Sequence, residues 1–296
     1  MTHRPDAGDA GARLRGIGLL CASLIAFTIL DTAAKYAMQF VPAIEVVWGR
    51  FLFHGLFAAL MLRPWRSVGP YRHIRLGAQV LRAVFLFLST IFNFLALETL
   101  RLDQTTTIAF AAAFVVAGLA GPPLGEWIGP RRWAAIAVGF AGVVVVIRPG
   151  TEAFQPAMIY SLGSVLSNSF YILLTRRLSA TDSVQSLLLV IGIVPTLMLA
   201  PVALPVFEWP PTILVAAAMV ATGACGAFGH LLFINAYRLT PAPVLAPFAY
   251  SQLIWMIAAG YFSFGEVPDI VTLAGSLIIV ASGLYILYRE RVHGDR

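Results

Sequence analysis

The chain has 296 residues, of which 59% are hydrophobic and only 11% charged, and its mean hydropathy is +0.84. Soluble domains carry about 25% charged residues, so this composition excludes a soluble fold and predicts a polytopic membrane protein. The formal net charge of +6 comes almost wholly from Arg placed in short breaks between apolar runs, which does not point to nucleic acid, and the two Cys, Cys21 and Cys225, show neither disulfide nor metal spacing.

Residues 1–14 read as a polar tail on the cytoplasmic side. The apolar run that follows continues through Asp31 and Lys35 with no convincing cleavage site, so it predicts a retained first helix rather than a signal peptide. A crossing needs about 20 apolar residues. Ten segments qualify in chain order: 15–38, 42–62, 76–98, 102–124, 132–147, 156–178, 183–204, 211–238, 242–264 and 269–288. Their breaks carry Pro, Gly or charge, such as Pro42, Arg63-Pro64, Arg148-Pro149-Gly150, Pro210-Pro211 and Pro268. With the N-terminus inside, the inside segments hold 15 Arg and the outside loops only Arg101 and Arg148. That asymmetry supports the count of ten and predicts cytoplasmic termini in a bacterial inner membrane.

The chain also echoes itself at a shift of 140 residues. Gly125-Glu126 falls on Gly265-Glu266 and Ala96 on Ala236, while Thr28, Asp31 and Lys35 fall on Asn168, Tyr171 and Thr175. Five crossings per copy is an odd number, so the copies would lie upside down relative to each other. The expected fold is an all-α membrane protein of ten transmembrane helices, built as two inverted five-helix repeats (15–149 and 150–289) around a central cavity, with a short tail at 290–296. This is the architecture of secondary transporters.

Polar residues inside apolar runs mark the candidate site. Thr28, Asp31, Thr32 and Lys35 lie on one face of the first helix; Ser161, Ser164, Asn168, Tyr171 and Thr175 lie on one face of the sixth. A charge at the bilayer centre costs about 2.5–3.5 kcal/mol on insertion scales, so these faces should turn inward. Asp31 and Lys35 could equally neutralise each other at i,i+4. Arg50 is about 12 Å into the second helix, as an ion-pair partner or a clamp for a substrate anion. Lys35 and Arg82 lie close enough to helix ends to snorkel. The third helix offers Ser89 and Asn93. The eighth offers His230, as a proton-sensitive group or a structural hydrogen-bonder. The ninth offers Tyr250 and Trp255 near Pro243 and Pro247, as aromatic cavity walls or as core. Glu126 and Glu266 follow helix ends and are expected to cap the next helix or to act as gating charges. No Walker A, paired-histidine or nucleophile-elbow motif is present, so no catalytic residue, metal or cofactor is expected.

The run from Ala236-Tyr237-Arg238 through Thr240-Pro241-Ala242-Pro243 to Tyr250-Ser251-Gln252, followed by Gly265-Glu266-Val267-Pro268, Gly275 and Gly283, resembles the second EamA repeat of the drug/metabolite transporter superfamily. Trp48-Gly49-Arg50-Phe51 is similar to that family's second-helix Arg motif, and Asp31, Lys35 and Tyr36 suit its first helix. The first repeat departs from the pattern, with Arg101-Leu102-Asp103 where the second has Pro241-Ala242-Pro243. The resemblance implies ten helices, a cavity lined by helices 1, 3, 4, 6, 8 and 9, and export of amino acids or related metabolites, aromatic amino acids in YddG-like members. Its partners would be the lipid bilayer and a small-molecule substrate, with Thr28, Asp31, Asn93, Asn168, Tyr171, His230, Tyr250 and Trp255 as substrate-binding candidates. The alternatives are an integral membrane enzyme acting on lipid, which would want clustered His, Asp or Lys near one face, and a flippase or accessory subunit.

Overall fold

The computed structural model describes residues 7–66, 75–119, 130–179, 181–240 and 242–293. Twelve α-helices lie among them: α1 (Ala7–Ala37), α2 (Ala43–Leu62), α3 (Leu76–Leu97), α4 (Leu102–Ala109), α5 (Ala112–Leu119), α6 (Pro130–Ile147), α7 (Met158–Ser179), α8 (Val184–Ala203), α9 (Ile213–Leu239), α10 (Ala242–Ala249), α11 (Gln252–Phe264) and α12 (Ile270–His293). Eight stretches among the described residues are long and apolar enough to cross a membrane, with α4 and α5 together forming one. The expected fifth crossing is α6, whose apolar part, Trp133–Ile147, is shorter than a full span. The expected ninth is not one helix but two, α10 and α11, each too short alone. Glu126 lies outside the described residues.

The two interruptions have the same construction. Between α4 and α5, Ala111 N–H bonds Ile108 O (3.0 Å), Ala113 N–H bonds Phe110 O (3.1 Å) and Phe114 N–H bonds Ala111 O (3.0 Å). Between α10 and α11, Ser251 N–H bonds Phe248 O (3.0 Å), Leu253 N–H bonds Tyr250 O (3.2 Å) and Ile254 N–H bonds Ser251 O (3.0 Å). The chain tightens to i→i−3 bonding at both places, which satisfies the backbone without continuing the α-helix. Pro247, inside α10 and without an N–H, favours the second break; the first occurs with no proline nearby.

Helices from early and late in the chain interleave. α1 packs along α9, α3 along α7, α6 along α12, and α2 lies between α8 and α9. In lipid such packing relies on close backbone approach rather than on the hydrophobic effect. The α2–α8 crossing is the tightest case. A Cβ on Gly192 would sit 2.5 Å from Gly55 Cα and 2.7 Å from Gly55 N, backbone atoms that cannot move aside.

At one end of the bundle, charged residues tie the connections together. Asp269 caps α12 by accepting from Val271 N (3.0 Å) and Thr272 N (2.9 Å), and it also takes Arg101 Nη2 (2.9 Å) and Arg148 Nη2. Arg101 also holds Asp103 through Nε (3.0 Å). Partial burial pushes the Asp269 carboxyl upward, but the bonds from Arg101, Thr272 and Arg148 outweigh it and hold the group well below the usual carboxylate range. At the other end, Asp182 accepts from Gln79 Nε2 (2.5 Å) and Arg75 N (3.2 Å), joining the start of α3 to the α7–α8 turn.

Gly192→Ala should lower stability by about 1–3 kcal/mol through overpacking, read as a reduced melting temperature in detergent. Gly18→Ala, whose added methyl meets nothing within 4 Å, should leave that temperature unchanged. A depressed carboxylate stabilises above its unfolded pKa and loses that contribution as pH falls toward its folded value. Melting temperature should therefore drop as pH falls below the ordinary 3.8 of Asp269. Asp269→Asn should start lower at neutral pH and lose less on acidification.

Candidate functional site

Within the interleaved bundle, α1, α2, α3, α7 and α9 bring their polar side chains together. On α1, Asp31 accepts a 3.2 Å bond from Asn93 Nδ2 of α3. On α2, Arg50 lies within Coulombic reach of Asp31 and of Tyr171. Its side chain is 5% exposed, its guanidinium carbon stands 4.5 Å from the Phe51 ring centroid, and its Nε and Nη1 have no hydrogen-bond partner. His54, one turn further along α2, is buried with Nε2 3.3 Å from Leu188 O. The His54 ring lies 5.9 Å from that of His230 on α9, which also meets Phe27 at 5.0 Å and Tyr171 at 6.2 Å. Arg82 of α3 sits 5.5 Å from the Tyr171 centroid and donates to Leu187 O (2.5 Å) and Thr175 Oγ1 (3.4 Å). Ser89 and Ser164 pair at 3.2 Å where α3 and α7 cross.

Asp31 and Tyr171, from the two polar stripes, are therefore brought near Asn93 and His230. Asn168 is half-buried on the α7 face between Ser164 and Tyr171. Thr28 is buried, but its hydroxyl donates to Leu24 O (2.9 Å) within its own helix. Tyr250 and Trp255 do not join the cluster. Tyr250 sits at the α10–α11 break, edge-on to Phe110 at 5.1 Å, with its hydroxyl pressed against Gly283; Trp255 is 39% exposed on α11. The sequence placed an interruption of the ninth helix at Pro243 and Pro247; the break falls at 250–251, between Tyr250 and Trp255, and leaves no single face carrying both.

Three charged residues behave differently from their sequence reading. Lys35 does not neutralise Asp31 or snorkel. It pairs with Glu266 and donates to Leu100 O (2.6 Å). Glu266 does not cap the helix that follows it, which Asp269 does; it accepts from Leu102 N (3.0 Å) at the start of α4. Arg82, also expected to snorkel, is 1% exposed and held by a carbonyl and a hydroxyl. His54 and the Gln79–Asp182 contact were not anticipated. His54 carried a usable signal, since it stands four residues after Arg50 on the same helix face.

The arrangement is a buried cation with unfilled hydrogen-bonding capacity facing a carboxylate held by an amide. An unmatched buried guanidinium is costly, and a planar donor fork matches a carboxylate or phosphate. Asp31 supplies the opposite charge for an ammonium group. Among the described residues, no three His, Cys, Asp or Glu side chains group as metal ligands.

Comparison with known proteins gives a consistent picture. The chain is 28% identical to an S-adenosylmethionine uptake transporter of Rickettsia prowazekii (strain Madrid E), covering 94% of each chain. It is 26% identical to a riboflavin transporter of Vibrio cholerae, again over 94% of each. It is 25% identical to the pseudopaline exporter CntI of Pseudomonas aeruginosa, over 90% of this chain and 94% of that one. A protein crystal structure matches with a TM-score of 0.61 at 19% identity, covering 92% of this chain and 98% of that one, which speaks for the fold. Residues 14–148 match the model of the EamA-like transporter family. The first part of the chain thus matches the EamA-like transporter family model, and relatives named as transporters align along nearly all of its length.

Proposed function

We propose that this protein is a secondary transporter, working by alternating access, for small metabolites that carry an amino-acid head group. Arg50 takes the substrate carboxylate, and Asp31, positioned by Asn93, takes its ammonium. The observation that carries this reading is Arg50 itself, a 5% exposed residue with two unpartnered guanidinium nitrogens within Coulombic reach of Asp31. Phe27, His54, Tyr171 and His230 add an aromatic wall on which a flat ring can stack. An aromatic amino acid satisfies both halves of such a site, and so does S-adenosylmethionine, the cargo named for the Rickettsia relative. Related proteins named as transporters favour this reading over a membrane enzyme.

Ten crossings in two inverted repeats form part of the same proposal. The helix breaks at 110–111 and 250–251 stand 140 residues apart, with the same backbone bonding. α6 and α12 touch through Ala135 O with Ser282 Oγ (2.5 Å) and through Gly142 with Gly275, two contacts that exchange under the same shift. The Arg distribution sets both termini on the cytoplasmic side of a bacterial inner membrane, which puts the Asp269 end outside. The relatives include both uptake transporters and an exporter. Export, the direction that the family resemblance implies, is therefore measured rather than assumed.

The test is flux in proteoliposomes containing only this protein, loaded or surrounded with labelled S-adenosylmethionine or with individual amino acids, at two external pH values. We expect saturable flux of at least one such compound. Arg50→Gln should reduce it about 100-fold, the usual cost of removing one partner from a buried charge interaction. Arg50→Lys should restore it poorly, because an ammonium lacks the fork. Unchanged flux in both Arg50→Gln and Asp31→Asn would move the site elsewhere, and transport restricted to compounds without an amino-acid head group would overturn the substrate class.

A further inference from the structure

A groove of about 430 Å³ runs between α1 and α11, with the start of α9 at its edge. Its polar lining is Thr28, Thr32, Tyr36 and Ser263. Thr28 and Thr32 are the neighbours of Asp31 on α1, about 60° and 100° around the helix from it. The groove thus lies beside the polar face that carries the candidate site.

One carboxylate fixes the helix that forms its other wall. Glu266 follows α11 directly, after Gly265 at φ +69. It binds Lys35 of α1, one turn past Asp31, and also Leu102 N at the start of α4. The Lys35 ammonium stands 5.3 Å from the Phe264 ring, and both charged side chains are shielded, at 11% and 13% exposure. The other end of α11 is the break at 250–251, where the α-helical bonding is already interrupted. α11 is therefore a short helix with an interrupted α-helical ladder at one end and the Glu266 ties to Lys35 and Leu102 N at the other. No comparable charge holds its middle: Ala259 and Ser263 face the groove without a cross-helix hydrogen bond among those described.

We propose that the gap between α1 and α11 is the passage between the Asp31–Arg50 site and the outer surface, and that the Lys35–Glu266 ion pair is the latch that keeps it closed. This rests on the reading of that cluster as the substrate site. Because Lys35 and Asp31 share α1, occupancy of the site and release of the latch act on one rigid element.

Labelling tests the latch without needing a substrate. In a background of Cys21→Ala and Cys225→Ala, a single Thr32→Cys is exposed to a membrane-impermeant maleimide from the outer side. We expect Glu266→Gln and Lys35→Gln each to raise the labelling rate about tenfold or more by shifting the population toward the open state. The charge swap Lys35→Glu with Glu266→Lys should return the rate part of the way to that of the parent, because the exchanged groups restore the ion pair but not the bonds to Leu100 O and Leu102 N. Unchanged rates in both single substitutions, or a swap that labels as fast as they do, would overturn the latch. Should the singles fail to fold, the swap together with Ser263→Trp decides. A tryptophan filling the groove should abolish flux while substrate still binds, and full flux through it would overturn the passage. If flux needs Arg50 while labelling ignores the latch, only this proposal falls. If labelling follows the latch and no amino-acid compound is carried, only the functional reading falls.

Discussion

A guanidinium buried at membrane depth has to be matched by charge or by dipoles. Arg50 is matched only in part. Asp31 lies within Coulombic reach, the Phe51 ring covers one face, and two nitrogens are left over. Arg82, also buried, donates to Leu187 O and Thr175 and lies over Tyr171, with its Nε left over. Arg82 fastens α3 to α7 and α8; Arg50 keeps two nitrogens unfilled, which on the proposed reading a substrate anion takes up.

The bundle that surrounds Arg50 is interleaved rather than divided into lobes. α1 lies on α9, α3 on α7 and α6 on α12, so most of the packing joins the early part of the chain to the late part. Among the described residues, the helical ladder is interrupted at the α4–α5 and α10–α11 junctions. The ties at the two ends differ in kind: carboxylate–cation pairs around Glu266 and Asp269, and a carboxylate–amide contact at Asp182.

Much of this was legible in the sequence, because membrane helices announce themselves by length and apolarity and because polar residues at spacings of three and four share a face. Asp31 and Tyr171 were placed on inward faces by that logic, and Asn93 and His230, polar residues inside apolar helices, come close to them. The errors share one origin. Lys35 was left between its neighbour Asp31 and the helix end, Glu266 was given to the next helix, and Tyr250 was set on the same wall as Trp255. Each is a local inference that a partner far along the chain overrides: Lys35 and Glu266 are 231 residues apart. His54 escaped notice although it lies one turn from Arg50 on the same helix face, where the ring of His230 meets it.

The rings of Phe110 and Tyr250 touch at 5.1 Å, and these two residues occupy the same position in the two helix breaks. Under the proposed inversion each is the counterpart of the other, so their contact lies on the pseudo-two-fold axis itself. An exchange of conformations between the repeats carries every off-axis contact into a different one, but it maps this pair onto itself. The aromatic pair is then the fulcrum of the transporter. The two breaks would turn about a point that stays still while access alternates around it.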